Sequence, residues 1–473
     1  MKLAHPVVLA LLLSLNLVSA AGKELDPEEE WMGIYSGENR VGYSYTLFKR
    51  EKGALNIVEE TNLRMNILGT DQNLKIKSDY FLDGYKLMAF DFSMSAPSVE
   101  LKATGKRAGE EIRLEVFSVS GKSELSFPVG DEPLVMPVLY RWLSEQNPTV
   151  GRSYEVTLFD PTSILTGADS MSLRTTLRVE GEERVEVPLG SFNTYRVKTD
   201  FAGSEITAWV TDKGEVIKEV SPPGLAAMRE ARDGVRSQAL SSLNIIEDTA
   251  ISSDVPLDNP RNLKLLRVRV GGIESIEGLD LEDENRQFYK DGLIEVKVSD
   301  LSRVKAYSIP YSGGTYDVYL KPSNLIQSDS DEVLSLASEI VSGEENSLTA
   351  ARKINHWVFN SLDKTPTISV PNALDVLKTR KGDCNEHATL FAALSRAAGI
   401  PAKIALGIVF LDGKFYYHAW NEVFVGEWVA VDPTFGQFPA DASHIKFIEG
   451  DLGKSHQIIK LVGKIKLEIV EAS

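Results

Sequence analysis

A single cysteine, Cys384, occurs in the 473-residue chain, within the run TRKGDCNEHATLFAALSRAAGIPAK at 379–403. The six histidines are His5, His356, His387, His418, His444 and His456, so beyond the first few residues any histidine chemistry belongs to the C-terminal third. A cysteine nucleophile needs a stabilised thiolate, a base for its proton and a third group to orient that base. Cys384 falls in the first turn of an expected helix, where free N–H groups favour thiolate over thiol. His418 lies mid-strand in YYHAWNEV, and Asp432 ends the next strand in EWVAVDP. If Val425, Gly426 and Glu427 form the hairpin loop, Phe424 faces Trp428 and Asp432 lies opposite Trp420. Asp432 and His418 then share a face as diagonal neighbours ~7–8 Å apart, within mutual reach. A two-residue loop instead sets Asp432 opposite Asn421 and on the other face. His387, one helical turn after Cys384, is the competing base, with no carboxylate evidently placed to orient it. A metal set of Cys384, Glu386, His387 and His418 has neither paired-cysteine nor HExxH spacing, so no metal or cofactor is assigned. Spacing alone leaves a plainer reading open: a buried inert thiol or intermolecular link, a core-facing histidine, and an aspartate opening the DPTF turn.

The elements that would hold these residues follow from periodicity. Acidic residues lead SDSDEVLSLASEIVSG and Gly343 ends it, as helices prefer. SLTAARKINHWVFNSL follows, with Leu348, Ala351, Ile354, Trp357 or Val358, and Leu362 on one face. PNALDVLKTR reads as a short helix with Pro371 in its first turn. The cysteine helix carries a stripe of Cys384, Ala388, Phe391, Leu394 and Ala398, and Gly399 with Pro401 stops it. KIALGIVFLDGKFYYHAWNEVFVGEWVAVDPTF reads as three strands with turns at Asp412-Gly413 and around Gly426. Helices followed by an antiparallel sheet make this an α+β domain.

Upstream, from Trp31 to about Ser237, apolar and polar residues alternate between turn signals such as EKGA, LDGY and DKG. That is the pattern of a large antiparallel β domain, a curved sheet or half-barrel, interrupted by one helix-like stretch, EPLVMPVLYRWLSEQ. The expected organisation is a leader at 1–20, the β-rich domain at 21–240, a linker at 241–262 and an extended β region at 263–327. The α+β domain at 328–450 and a strand segment at 451–473 complete it.

The composition, 43% apolar and 25% charged, suits a multidomain globular protein with real cores. A formal charge of −17 argues against nucleic acid as partner, because such binding draws on clustered Lys and Arg. Lys2, an apolar run from Val7 to Val18 and small residues up to Ala20 have the layout of a cleavable secretory signal. The run is shorter than the ~20 residues of a spanning helix, so the mature chain is expected in the periplasm or outside the cell without a transmembrane segment.

Three blocks in order, GDCNEHATLFAALSRAAGIPAKIALG, HAWNEVF and WVAVDPT, resemble the transglutaminase-like superfamily, whose fold is related to the papain-type cysteine proteases. The likeness covers roughly 328–447. It implies that Cys384 is the acyl-accepting nucleophile, His418 its general base and acid, and Asp432 the residue orienting His418. It also implies a protein or peptide substrate attacked at an amide carbonyl, with a thioester that passes to water or an amine. One oxyanion donor should be the Cys384 backbone N–H. The calcium sites and upstream tryptophan donor of animal relatives have no counterpart carried over here. More loosely, the strand-rich front half is similar to the N-terminal regions of exported bacterial transglutaminase-like proteins.

Overall fold

The computed structural model describes residues 29–473 except 52, 68–69, 98, 131, 167–169, 202–203, 223, 238, 274, 284, 366–370, 451–457 and 459–460. The expected leader at 1–20 lies outside the described residues. Two compact units are present, one holding 29–164 and 170–245 and the other 165–166 and 246–473.

The first unit is one curled, half-barrel sheet of fifteen strands. Strands Glu29–Ser36 through Gly121–Pro128 form an eight-strand antiparallel meander. The free edge of Glu29–Ser36 pairs with Leu225–Arg229, from which the sheet continues back to Ser153–Phe159 and Leu134–Val135. Strand Ala54–Ile67 shows why the alternation was readable: every second residue, from Leu55 to Ile67, is buried. The helix-like stretch becomes a helix at Leu139–Glu145, with Leu139, Tyr140 and Leu143 buried. Charged groups share this interior, including Glu30, Glu59, Asp160, Glu219 and Arg229.

The second unit has helices Asp331–Ile340, Ser347–Ser361, Ala373–Thr379 and Cys384–Ala397. Each begins on a residue suited to capping: Ser330, Asn346, Asn372 and Asp383 each accept a backbone N–H from the first turn. The cap of the third is Asn372, so Pro371 precedes the helix instead of opening it. The five-stranded sheet runs Ile251–Ser252, Lys414–Phe424, Ala402–Leu411, Ile445–Gly450, with Trp428–Val431 also paired to Lys414–Phe424. The stretch 241–262, polar enough to read as a linker, thus contributes a short strand to this sheet. A smaller sheet combines Gln287–Lys290, Leu293–Lys297 and Leu265–Gly271 with the C-terminal Lys466–Ala472. Among the described residues, no helix is long and apolar enough to cross a membrane.

The cysteine helix departs from an amphipathic stripe: every residue from Cys384 to Arg396 is buried. The other three helices and the strand Lys414–Phe424 pack around it, so its polar residues Asn385, Glu386, His387, Thr389 and Ser395 are enclosed too. Its periodicity marks a helix but not an exposed face.

Candidate active site

The start of the cysteine helix is built as a capping box. Asp383 accepts the Asn385 N–H at 3.0 Å, and its own N–H donates to Glu386 Oε2 at 2.8 Å. Gly382 precedes it because a Cβ there would lie 2.2 Å from the Glu386 Cβ. Cys384 is fully buried, and its sulfur accepts the backbone N–H of Ala419, the residue after His418. Asn421 Nδ2 reinforces the junction by donating to the carbonyls of Ala388 at 3.0 Å and Lys403 at 3.3 Å. The helix terminus alone favours thiolate, but the surroundings reverse that expectation for the free protein. Burial pushes the Cys384 thiol well above its ordinary value, and the carboxylates of Asp383, Glu386 and Asp432 add to it.

The hairpin takes the three-residue loop. Phe424 pairs with Trp428 and Asn421 with Val431, so Asp432 follows at the level of Trp420 on the face of His418. His418 Nε2 lies 2.8 Å from Asp432 Oδ2, and both side chains are fully buried. The other carboxylate oxygen accepts the N–H groups of Thr434 at 2.7 Å and Phe435 at 3.0 Å. Although burial alone would raise it, Asp432 is held well below the carboxylate range, chiefly by His418 and then His444. Burial lowers His418, which outweighs the pull of Asp432. Its Nδ1 has no hydrogen-bond partner among the described residues. Trp420 and Phe435 flank the ring, with centroids at 6.1 and 5.3 Å.

His387 is tied to its own helix at one ring nitrogen. Its Nδ1 meets the Asp383 carbonyl at 2.6 Å, and burial brings it down to about 4. Glu386 is tied to the helix cap, so Cys384, Glu386, His387 and His418 do not form a ligand cluster. Among the described residues the one group with ligand-like spacing is His418, Asp432 and His444, whose polar atoms lie within 4.8 Å of one another. Hydrogen-bond lengths of 2.8 and 3.0 Å account for those contacts, and we assign no metal.

His444 is the site residue that spacing does not single out. Its Nε2 lies 3.0 Å from the Asp432 oxygen that His418 also uses. It precedes the strand Ile445–Gly450, and its segment is held by Arg286, which donates to the carbonyls of Ala440 at 2.9 Å and Asp441 at 2.5 Å. Gln287 adds a bond to the Lys446 carbonyl at 2.7 Å. These partners are about 155 residues away in sequence, so the only local signal is the residue type.

Comparison with known proteins places a family match over this part of the chain. Residues 334–433 match the transglutaminase-like superfamily model. A protein-glutamine gamma-glutamyltransferase of Pseudomonas aeruginosa is 34% identical over 101 residues, covering 19% of this chain and 15% of that protein. The kyphoscoliosis peptidase of Mus musculus is 26% identical over 127 residues, covering 24% of this chain and 19% of that protein. The chain therefore spans less than a fifth of either relative. A β-barrel-like protein of unknown function from Brucella abortus aligns over 44% of this chain and 97% of its own, at 12% identity and a TM-score of 0.34. Residues 334–433, which contain the cysteine helix and the His418 hairpin, are a transglutaminase-like domain.

Proposed function

We propose that this protein is an exported cysteine acyltransferase or hydrolase acting on amide bonds of proteins or peptides, with Cys384 as nucleophile, His418 as base and acid, and Asp432 as its orienting group. The observation that carries this reading is the bond between His418 Nε2 and Asp432 Oδ2, on the strand whose Ala419 N–H meets the Cys384 sulfur. In the reaction, His418 Nδ1 takes the thiol proton as sulfur attacks the amide carbon. The Cys384 N–H at the helix start stabilises the oxyanion. His418 then returns the proton to the leaving nitrogen, which departs as ammonia or an amine and leaves a thioester. Water releases a carboxylic acid from it; an amine forms a new amide. We favour water as acceptor because it is the most abundant nucleophile of the periplasm or extracellular medium. The lysine-led apolar run at 1–20 supports export.

A second reading, a binding or scaffold protein with an unused triad, is favoured by one observation: the thiol is buried and its ionisation is suppressed. One assay separates the two. The full chain is incubated with glutamine-rich proteins and peptides, with and without a fluorescent primary amine. Ammonia release, new amino termini and amine incorporation are followed together. The enzyme reading expects turnover that Cys384→Ala abolishes and His418→Ala lowers by about 10²–10⁴-fold. Equal signals from wild type and Cys384→Ala across all three readouts favour the binding protein.

A further inference from the structure

His444 contacts acceptors at both ring nitrogens. Nε2 is 3.0 Å from Asp432 Oδ2, while Nδ1 is 3.2 Å from the Asp441 carbonyl and 3.4 Å from Asp441 Oδ1. Ionised carboxylates and carbonyls only accept, so each nitrogen must bring a proton, which makes the ring an imidazolium. Asp441 in turn receives Arg261 Nη1 at 2.7 Å and the Ser443 N–H at 2.8 Å. Two buried carboxylates thus face the buried His444 and the half-buried Arg261, a balanced arrangement that burial of charge favours. His418 differs at one atom. Its Nε2 faces the same Asp432 oxygen, but its Nδ1 meets no acceptor among the described residues, so it needs only one proton.

We propose that His444 is a resident imidazolium that fixes Asp432 and, through its charge, keeps His418 in the neutral form a general base requires. His444 is a positioning residue, and the inference rests on the Cys384–His418–Asp432 reading above. The two rings lie with centroids 5.7 Å apart, close enough for one positive charge to disfavour a second. Without His444, the negative charge of Asp432 would act on His418 alone and draw a proton onto it.

The remaining cationic neighbours likewise disfavour a positive charge on His418, while Asp432 and Asp441 hold the one on His444. Arg286 donates to the backbone carbonyls of Asp441 and His444, and Arg261 and Lys364 add positive charge near His418 and Asp432 respectively. Cys384 and His387 face Asp432 uncharged, the first because burial raises it and the second because burial lowers it. Among these groups only Asp432 and Asp441 are anionic against His444, which agrees with its upward shift despite burial and with the downward shift of His418.

The test uses the full chain labelled with nitrogen-15 in its imidazole rings. Long-range proton–nitrogen spectra are recorded from about pH 5.5 to about pH 9, around the ordinary histidine value of ~6.5. Ring signals are assigned with His444→Gln and His418→Gln. His444 should show two protonated nitrogens at about pH 7 and His418 one. In His444→Gln the His418 midpoint should rise by at least about one unit, a tenfold change in its protonation ratio. Asp441→Asn keeps the His444 ring and should lower its midpoint while raising that of His418, so it decides the matter if His444→Gln fails to fold. A neutral His444 at about pH 7, or a His418 midpoint unmoved in folded variants, overturns the inference. An inactive protein with the expected spectra removes the amide chemistry but not the charge assignment; an active one with neutral His444 does the reverse.

Discussion

Asp432 is the side chain on which the site converges. It accepts from His418 and His444 through one oxygen and from two backbone N–H groups through the other, and the three side chains are fully buried. Replacing it with Asn offers donors where donors already point and leaves Asp441 as the one carboxylate against the His444 cation. Asp432→Asn should therefore cost about 3–5 kcal/mol of stability, the range for breaking a buried charge pair. It should also lower amide turnover by about 10⁴-fold, since His418 loses the group that fixes its tautomer. Urea unfolding and the turnover assay measure the two effects separately. A loss of stability with turnover intact would count against an orienting role.

At the scale of elements, the site depends on the strand Ile445–Gly450 lying close against Ala402–Leu411. Gly407 permits that approach, at the point where the pairing shifts register. A Cβ at Gly407 would sit 2.0 Å from the Ile445 carbonyl oxygen and 2.8 Å from Trp420 Cη2. Backbone cannot yield there cheaply, so Gly407→Ala should destabilise the domain by about 1–3 kcal/mol. Because Ile445 directly follows His444, the displaced strand should also carry His444 away from Asp432. The expected result is a lower urea midpoint together with an upward move of the His418 midpoint, as in His444→Gln. A destabilised variant whose His418 titration is unchanged would separate strand spacing from the charge network.

At the scale of the whole molecule, the two units should respond differently to pH. In the first, burial and neighbouring carboxylates raise Glu59 to about 8, and burial raises Glu30 to about 7 and Asp160 to about 6. Both Glu59 oxygens lack a partner among the described residues, so the protonated form is the one this interior favours. A raised carboxyl binds more protons folded than unfolded, so its stabilising effect is present in acid and fades as pH climbs from about 4 to the folded value. In the second unit, burial lowers His387 to about 4 and also lowers His418, contributions lost as pH falls below ~6.5. His444, raised, contributes with the opposite sign: its share is full below ~6.5 and fades as pH rises through its folded value. Calorimetry of the full chain should therefore show the melting of the first unit moving up from about pH 8 to about pH 5. Glu59→Gln should raise its midpoint at about pH 8 and flatten the slope; an unchanged slope would mean Glu59 ionises freely when folded.

Much of this was legible in the sequence because it depends on short-range order. Alternation along Ala54–Ile67 and its neighbours reported a half-wet antiparallel sheet, and the acidic first turn, the terminal Gly343 and the helical periods that follow reported the helices before Cys384. The hairpin fixed His418 against Asp432 once a three-residue loop was chosen, since register within a hairpin is set by its own turn. Three matters depended on packing between distant segments. The Cys384 helix dipole promised a reactive thiolate, yet enclosure by three helices and a strand raised the thiol instead. The stretch at 241–262 carried a linker's composition but a strand's pairing, because a two-residue edge strand takes its bonds from a partner about 160 residues away. His444 entered the site through the pairing of Ile445–Gly450 with Ala402–Leu411 and through Arg286 and Gln287, bonds that no local pattern records. Local sequence determined which elements form and which residues share their faces; desolvation and long-range contacts, which depend on the assembled core, decided the ionisation states on which the chemistry turns.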